Sequence, residues 1–144
     1  PEQEYLIPIG ESNVVHEGND VTLVSFGKMM KVAEETFNVA KKENISVEVI
    51  DLRSVRPIDY DSIVKSVKKT NRLVIIEEAW PLASISSEIS HHIQRFAFDY
   101  LDAPVHRITC EDVPFHYAPT LIKEILPSVE KAMKAIKSVT YKKN

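Results

Sequence analysis

The chain has 144 residues, of which 44% are hydrophobic and 27% are charged. This composition is that of one soluble globular domain, and it excludes a collagenous, disordered or membrane-spanning chain. The formal net charge of −3 and the pI near 6.0 argue against a nucleic-acid-binding protein, because such proteins present a strongly basic surface.

Cysteine and glycine are scarce, and their scarcity limits the chemistry of the chain. The single cysteine, Cys110, cannot form an internal disulfide, which favours a reducing compartment. The glycines Gly10, Gly18 and Gly27 cannot supply a G-x-G-x-x-G motif, a phosphate-binding loop or a G-x-S-x-G elbow. Because backbone that approaches a pyrophosphate usually requires glycine, we expect the chain to hold no diphosphate cofactor by itself. The sequence begins at Pro1, and we expect it to be a piece of a longer protein.

Strand and helix patterns alternate along the chain from residue 21 onward. Runs of β-branched and apolar residues predict the strands, and apolar residues at helical spacing predict the helices. The predicted elements are strands at 21–26, 46–51, 73–76 and 105–109 and helices at 30–42, 60–69, 84–101 and from 127 onward. This alternation predicts an open α/β sheet with helices on both faces. Residues 1–20 are interpreted as a lead-in, and residues 21–144 as the core of a single domain.

Capping and burial signals refine these elements. Asn44 suits the C-terminal cap of the first helix, and Asp59 suits the N-cap of the second. The uninterrupted apolar run Leu73–Ile76 is typical of a strand that is covered on both faces. In the third helix, Phe96 and Tyr100 continue the apolar stripe, and we expect both rings to face the core.

In an open α/β sheet, ligands and partners gather at the carboxyl ends of the strands, so the residues that follow each strand are candidates for function. Arg53 and Arg56 follow the second predicted strand. Their guanidinium groups could clamp a phosphate or a carboxylate, but they could equally pair with Asp51, Asp59 or Glu77, or with the charges of a partner. We favour ion pairing.

Two further pairs of residues raise the alternative of a free-standing α/β enzyme. Glu77 and Glu78 follow the third strand, but neighbouring residues of a strand point to opposite faces, which disfavours a paired acid and base. Cys110 and His116 could form a thiol nucleophile and its base, although an isolated cysteine is more often a small buried hydrophobe.

Metal binding is not expected. The adjacent histidines His91 and His92 point about 100° apart on a helix, so they cannot grip one metal ion. Glu88 and His92 have suitable spacing but lack a third ligand. We interpret His92 as a histidine at the edge of the core.

The segment Val113–Pro119 combines prolines with aromatic residues. The prolines hold the backbone extended and display Phe115 and Tyr117 at low entropic cost. Trp80, beside Pro81 at the end of a strand, is a feature of the same kind. Since tryptophan and tyrosine dominate interface hot spots, these residues predict a docking surface, although the side chains could equally fold onto their own domain.

Six segments, in chain order, resemble one known family: Tyr5–Gly10, Gly18–Ser25, Val47–Pro57, Lys69–Val74, Ala97–Pro104 and Asp112–Ala118. They follow the C-terminal domain of the β subunit of thiamine-diphosphate-dependent 2-oxo acid dehydrogenases. The segment Glu78–Pro81 is most similar to the corresponding segment of the family members that act on pyruvate. Branched-chain 2-oxo acids and acetoin stay open as substrates, because the substrate pocket of these enzymes lies in another domain.

The resemblance implies a transketolase C-terminal-type fold, a three-layer α/β/α domain with a mostly parallel five-stranded sheet. It also implies a β subunit that joins an α subunit and a second β subunit in an α2β2 tetramer. In such enzymes the diphosphate of the cofactor and Mg²⁺ are bound by the α subunit, and the N-terminal domain of the β subunit contacts the pyrimidine side of the cofactor. The resemblance therefore implies an assembly and docking domain that has no catalytic, cofactor-binding or metal-binding residue and is inactive alone.

On the same resemblance, Asp102 and the extreme C-terminal region are candidate docking points for the subunit-binding domain of a dihydrolipoyl acyltransferase. For Asp102 the alternative is a turn residue before Pro104. The resemblance places such a protein in the cytoplasm of a bacterium, or in the mitochondrial matrix or plastid of a eukaryote. The candidate partner-interface residues are Arg53, Arg56, Trp80, Asp102, Phe115 and Tyr117.

Overall fold

The computed structural model describes residues 5–141. The strands within this range are β1 (Asn13–His16), β2 (Val21–Ser25), β3 (Val47–Asp51), β4 (Leu73–Ile76) and β5 (His106–Ile108). The helices are α1 (Met30–Lys42), α2 (Tyr60–Thr70), α3 (Ile85–Phe96), α4 (Pro119–Ile125) and α5 (Val129–Val139), with short 3₁₀ turns at Gly27–Met29 and Phe98–Tyr100. None of the helices in residues 5–141 has both the length and the hydrophobicity to cross a lipid bilayer.

The strands form one sheet in the order β1-β3-β2-β4-β5. β2, β3, β4 and β5 run parallel to their neighbours, and β1 pairs antiparallel with β3. Every residue of β2 and β4 is buried, as expected for interior strands that are covered on both faces. The predicted α/β sheet, and the five-stranded, mostly parallel form that the resemblance implies, are confirmed.

Alternate residues of the strands feed two separate hydrophobic cores, one on each face of the sheet. Val74 and Ile76 of β4 belong to the core that α1 and α5 cover. Leu73 and Ile75 belong to the opposite core, under α2 and α3. Because successive side chains of a strand point to opposite faces, the same apolar run supports both helix layers. The result is the three-layer α/β/α arrangement.

The structure contains a strand before residue 21, where the sequence predicts no element. β1 pairs with β3 through Val14 opposite Ile50, and the register is irregular between Val14 and His16. The preceding residue, Ser12, donates its amide to the Asp59 carboxylate at 3.0 Å. β1 has only four residues, so its own sequence pattern is too short to predict a strand. Its register depends on the edge of β3 with which it pairs.

The third predicted helix ends five residues earlier than expected. α3 ends at Phe96, Ala97 departs from helical geometry with a φ of −140°, and a separate 3₁₀ turn follows. Phe96 is 55% exposed and Tyr100 is 42% exposed, so the prediction that both rings face the core is wrong. The interruption at Ala97 breaks the helical period, and Tyr100 therefore no longer lies on the buried stripe.

Both predicted helix caps are confirmed. Asn44 lies in the left-handed conformation just after α1, with a φ of 56°, and the amide of Ile45 donates to the carbonyl of Ala40 at 3.0 Å. At the start of α2, the Asp59 carboxylate accepts a hydrogen bond from the amide of Ser62 at 3.1 Å.

The sequence also predicts no helix between the fourth strand and the last helix, whereas the structure contains α4 there. α4 begins at Pro119, whose missing amide hydrogen costs nothing at the first helical position. With seven residues, it is too short to show an apolar stripe of helical period.

Candidate partner interface

The parallel strands deliver three loops to one edge of the sheet, which we call the carboxyl edge. These loops follow β3, β4 and β5 and span residues 52–59, 77–84 and 109–118. The exposed apolar side chains on these loops are Val55, Trp80, Leu82, Val113, Phe115 and Tyr117. Since grouped exposed apolar side chains mark interaction surfaces, the carboxyl edge is the candidate functional site.

Trp80 links two of these loops. Its indole Nε1 donates to the carbonyl of Val113 at 3.2 Å, while the amide of Cys110 donates to the carbonyl of Ala79 at 2.9 Å. Even with its indole nitrogen engaged, Trp80 is 54% exposed. The polar end of the side chain is therefore satisfied internally, and much of the apolar ring faces outward.

Tyr117 points outward, and Phe115 is only partly covered by the domain. Tyr117 is fully exposed, and Phe115 is about half exposed at 47%. The alternatives left open by the sequence were a docking surface and a loop folded onto its own core. For these two rings the structure disfavours the second alternative, because neither is buried by the domain.

Arg53 and Arg56 lie exposed in the loop after β3. Neither guanidinium forms an ion pair within residues 5–141, so the expectation of a pair with Asp51, Asp59 or Glu77 is wrong. Glu77 is buried, at 1% exposure, whereas both arginines are exposed. The Asp51 carboxylate accepts the backbone amide of Arg53 at 3.0 Å. Pairing with a partner's charges stays a prediction.

Asp102 lies at the opposite, amino edge of the sheet. Its carboxylate pairs with Arg72 at 3.0 Å, and its amide donates to the carbonyl of Asn71 at 2.9 Å. The hydroxyl of Tyr141 donates to its carbonyl at 2.8 Å. Asp102 therefore does not belong to the same surface as the other five candidates, although its carboxylate stays more than half exposed. The extreme C-terminal residues 142–144 lie outside the described residues.

A buried polar network, which the sequence did not predict, supports the loop after β4. The carboxylate of Glu77, 1% exposed, accepts hydrogen bonds from the amide of Ser86 at 3.1 Å and from its hydroxyl. Arg107 of β5 donates from Nη1 to the carbonyl of Pro81 at 3.0 Å and to Ser87 Oγ at 2.6 Å. The cluster of serines around the start of α3, Ser84, Ser86 and Ser87, was the available signal, since serine favours helix N-termini.

The geometry does not support the paired carboxylates as an acid and base. Glu77 is buried and holds the start of α3, whereas Glu78 faces the surface and pairs with Lys28 at 3.5 Å. As the strand period implies, the two side chains point to different environments.

The thiol of Cys110 is buried, and its surroundings do not activate it as a nucleophile. Its side chain is 2% exposed, and burial, assisted by the negative charge of Glu78, raises its pKa. His116 lies in an exposed stretch and forms no hydrogen bond with Cys110 in the described structure. A nucleophilic cysteine needs a lowered pKa and an accessible sulfur, so the buried-hydrophobe interpretation holds.

His92 lies at the edge of the core, as predicted. Its ring stacks on Tyr60 at a centroid distance of 3.8 Å and tilts against Phe96 at 4.5 Å. Burial lowers its pKa, so the neutral ring is favoured. Within residues 5–141 no group of three or more His, Cys, Asp or Glu side chains is arranged to hold a metal ion.

None of the three glycines forms part of a cradle for thiamine diphosphate, a group that the resemblance implies for the parent enzyme. A side-chain carbon added at Gly18 would overlap the backbone of β3, and one added at Gly10 would meet the Pro57 ring at 2.8 Å. Both glycines therefore serve internal packing. Gly27 has open space beside it, but one such glycine does not form a cradle for a diphosphate.

Residues 10–132 match the family model described as transketolase, C-terminal domain. A solved structure with the same fold is a split-gene transketolase described as an inactive β4 tetramer, with a TM-score of 0.84. It is 25% identical and is matched over 96% of this chain and 45% of that chain. The chain belongs to the transketolase C-terminal domain family.

Among curated proteins, the chain is similar to β subunits of the pyruvate dehydrogenase E1 component. It is 45% identical to the subunit from Rickettsia felis, over 98% of this chain and 43% of the relative. It is also 45% identical to the mitochondrial subunit from Dictyostelium discoideum, over 98% of this chain and 40% of the relative. The resemblance predicted from the sequence is confirmed, and the chain spans less than half the length of these relatives.

Proposed function

We propose that the chain acts as the C-terminal domain of the β subunit of a pyruvate dehydrogenase E1 component, where it supports assembly rather than chemistry. The main support is 42–47% identity to such subunits over nearly the whole chain. The parent enzyme is an α2β2 tetramer that uses thiamine diphosphate and Mg²⁺ to decarboxylate pyruvate and to acetylate lipoyl-lysine. This domain supplies no catalytic, cofactor-binding or metal-binding residue and is inactive alone.

The carboxyl edge is the surface that meets neighbouring subunits of this tetramer, the α subunit and the second β subunit. Trp80, Phe115 and Tyr117 serve as apolar anchors, because aromatic side chains in a desolvated contact contribute most of the binding energy. Arg53 and Arg56 pair with acidic groups of the neighbour, since their guanidinium groups have no ion-pair partner in residues 5–141.

Asp102 takes the second partner, the subunit-binding domain of a dihydrolipoyl acyltransferase. A basic side chain of that domain would share the carboxylate with Arg72, which already contacts it at 3.0 Å. Because Asp102 and the carboxyl edge lie at opposite edges of the sheet, assembly of the tetramer leaves the acyltransferase site free.

Two alternatives concern substrate and compartment. A branched-chain 2-oxo acid or acetoin dehydrogenase would use the same domain architecture, and the pyruvate assignment rests on the names of the relatives. Those relatives include bacterial and mitochondrial subunits, so we propose the cytoplasm of a bacterium or the mitochondrial matrix of a eukaryote. The enzyme hypothesis built on Cys110 loses its support, because the thiol is buried and its pKa is raised.

A chimeric β subunit tests the assembly role. This chain would replace the matching C-terminal part of the Rickettsia felis subunit and be produced together with the α subunit of that species. We expect an active tetramer, and we expect Trp80→Ala with Tyr117→Ala to reduce its assembly affinity at least about tenfold. Phe98→Ala, an exposed aromatic at the amino edge, is the matched control and should assemble normally.

Two results would contradict the proposal. One is a folded chimera that fails to bind the α subunit. The other is turnover of pyruvate by the purified 144-residue chain alone, because the proposal assigns all of the chemistry to other parts of the enzyme.

A further inference from the structure

Arg107 lies behind the loop that carries Trp80 and holds it in place. From β5, its Nη1 donates to the carbonyl of Pro81 at 3.0 Å, and Pro81 follows Trp80 directly. The same nitrogen donates to Ser87 Oγ at 2.6 Å in the first turn of α3. One guanidinium thus ties the loop to a neighbouring strand and to the following helix. Charged donors of this kind form stronger hydrogen bonds than neutral ones.

Other polar contacts fix the two ends of the same loop. At its start, the Glu77 carboxylate is buried and accepts the amide of Ser86 at 3.1 Å. Next to it, the Ala79 carbonyl accepts the amide of Cys110 at 2.9 Å. Ala83, near the end, adopts a left-handed φ of 53°. These features fix the backbone of residues 78–83, and this backbone in turn positions the large apolar side chains of the loop.

Apart from the hydrogen bond of the Trp80 indole to the Val113 carbonyl at 3.2 Å, the large side chains of the loop contribute little to holding it. Trp80 is 54% exposed and Leu82 is 83% exposed, so they bury little area within the domain. A loop that is fixed by polar contacts from inside, while its apolar groups stay outside, is preorganised for binding. Ordering such a loop costs less when the partner arrives, because much of the entropy has already been lost.

We propose that Arg107 is a positioning residue that fixes Trp80 for contact with the neighbouring subunit. This inference rests on the proposed function, in which Trp80 is an anchor of the carboxyl edge. Arg107 acts through the Pro81 carbonyl and is itself only partly exposed. Its removal should therefore loosen Trp80 first and weaken assembly as a consequence.

The only tryptophan of the chain gives a direct readout of this effect. In ¹⁵N relaxation experiments on the 144-residue protein, at a concentration where light scattering gives the mass of a monomer, Trp80 supplies the single indole N–H signal. We expect Arg107→Met to lower the order parameter of that N–H from about 0.85 to below about 0.6. Arg107→Lys keeps one cationic donor for the Pro81 carbonyl, so its order parameter should lie between those of the wild type and of Arg107→Met. It also replaces the Met variant if that protein does not fold.

A variant that is less stable but keeps Arg107 distinguishes the positioning role of Arg107 from a general loss of stability. Ile63→Val removes one methylene from a fully buried residue of α2, on the face of the sheet away from α1 and α5. It should lower the melting temperature without changing the indole order parameter. In the chimeric subunit, Arg107→Met should raise the dissociation constant for the α subunit about fivefold, while Ile63→Val should leave it unchanged.

The outcomes distinguish this inference from the proposed function. An unchanged order parameter in Arg107→Met overturns the inference. A lowered order parameter with unchanged assembly also overturns it, provided that Trp80→Ala weakens assembly. If Trp80→Ala itself leaves assembly unchanged, then the anchor role in the proposed function fails, and the inference fails with it.

Discussion

At the scale of single residues, Asp59 shows how one carboxylate can join two distant parts of the chain. It accepts the amide and hydroxyl of Ser12 at 3.0 and 2.8 Å, and the amide and hydroxyl of Ser62 at 3.1 and 2.7 Å. Burial alone would raise its pKa, but these hydrogen bonds outweigh burial and lower the pKa to about 2. Asp59 therefore connects the segment before β1 to the start of α2.

The pKa of Asp59 predicts a pH dependence of stability. Because the folded pKa is lowered from 3.8 to about 2, the stabilisation is present above about pH 4 and is lost as the pH falls towards 2. Asp59→Ala should cost about 1–2 kcal/mol near neutral pH, as for other N-caps. Asp59→Asn retains a cap but cannot titrate. Denaturant unfolding across this acid range should show a smaller loss for Asn than for wild type, and equal losses would contradict the assignment.

The buried thiol of Cys110 predicts slow chemical modification. Its low exposure and raised pKa both oppose formation of an accessible thiolate. We expect alkylation near neutral pH to be at least about a hundredfold slower in the native protein than in denaturant, because reaction requires opening of the structure. Mass spectrometry after timed alkylation measures this ratio. Rapid labelling of the folded protein would revive the nucleophile hypothesis.

At the scale of elements, Gly18 fixes how closely the turn between β1 and β2 approaches β3. A side-chain carbon there would overlap the backbone of Val47 and Glu48, which cannot move without breaking the sheet. Gly18→Ala should therefore destabilise the protein by about 3 kcal/mol. Gly27→Ala is the matched control, since it meets nothing within 4 Å and strains only its φ of 57°, at a cost of about 1 kcal/mol. Thermal unfolding of both variants measures the difference, and equal costs would show that close packing at Gly18 is not limiting.

The elements that the sequence predicts correctly are those with a long or strongly apolar pattern. α1, α2 and α5 span at least eleven residues, and β2 and β4 are fully buried. β1 and α4 are short. Formation of β1 depends on contacts with residues that are distant in the sequence, and formation of α4 depends on the extended segment before it. The end of α3 was misjudged because an apolar stripe does not reveal the residue at which the backbone leaves the helix.

At the scale of the whole molecule, apolar and aromatic side chains lie exposed at both edges of the sheet. The carboxyl edge carries Trp80, Leu82 and Tyr117, while Phe98 and Tyr100 lie towards the amino edge. Their separation allows two partners to bind without competing, as the proposed function requires. The isolated chain therefore leaves large apolar groups in contact with water.

This exposure predicts self-association of the isolated chain. We expect its average mass in light scattering to rise with concentration and to fall on dilution, because the association is driven by apolar burial. Trp80→Ser with Leu82→Ser should lower the association more than Phe98→Ser, which changes only one exposed ring. If the wild-type chain stays monomeric over a wide concentration range, then the exposed apolar side chains do not mediate self-association.

The candidate site divides into a part that the sequence predicts and a part that it does not. Loops after parallel strands share an edge in any such fold, so the sequence sufficed to place Trp80, Phe115 and Tyr117 there. It could not show that Arg53 and Arg56 lack ion pairs within residues 5–141, because that depends on which donors reach the nearby acids first. No local pattern marks Arg107 either, since its acceptor lies 26 residues away in the chain.

Apolar periodicity and short family-like segments are properties of neighbouring residues, so the order of amino acids was enough to predict the fold class, the main elements and the family. Side-chain exposure, charge pairing and the polar contacts that hold the Trp80 loop became known only from the folded chain. Those outcomes depend on contacts between segments that are remote in the chain. Burial and hydrogen bonding are settled when these segments meet, and no single segment contains that information.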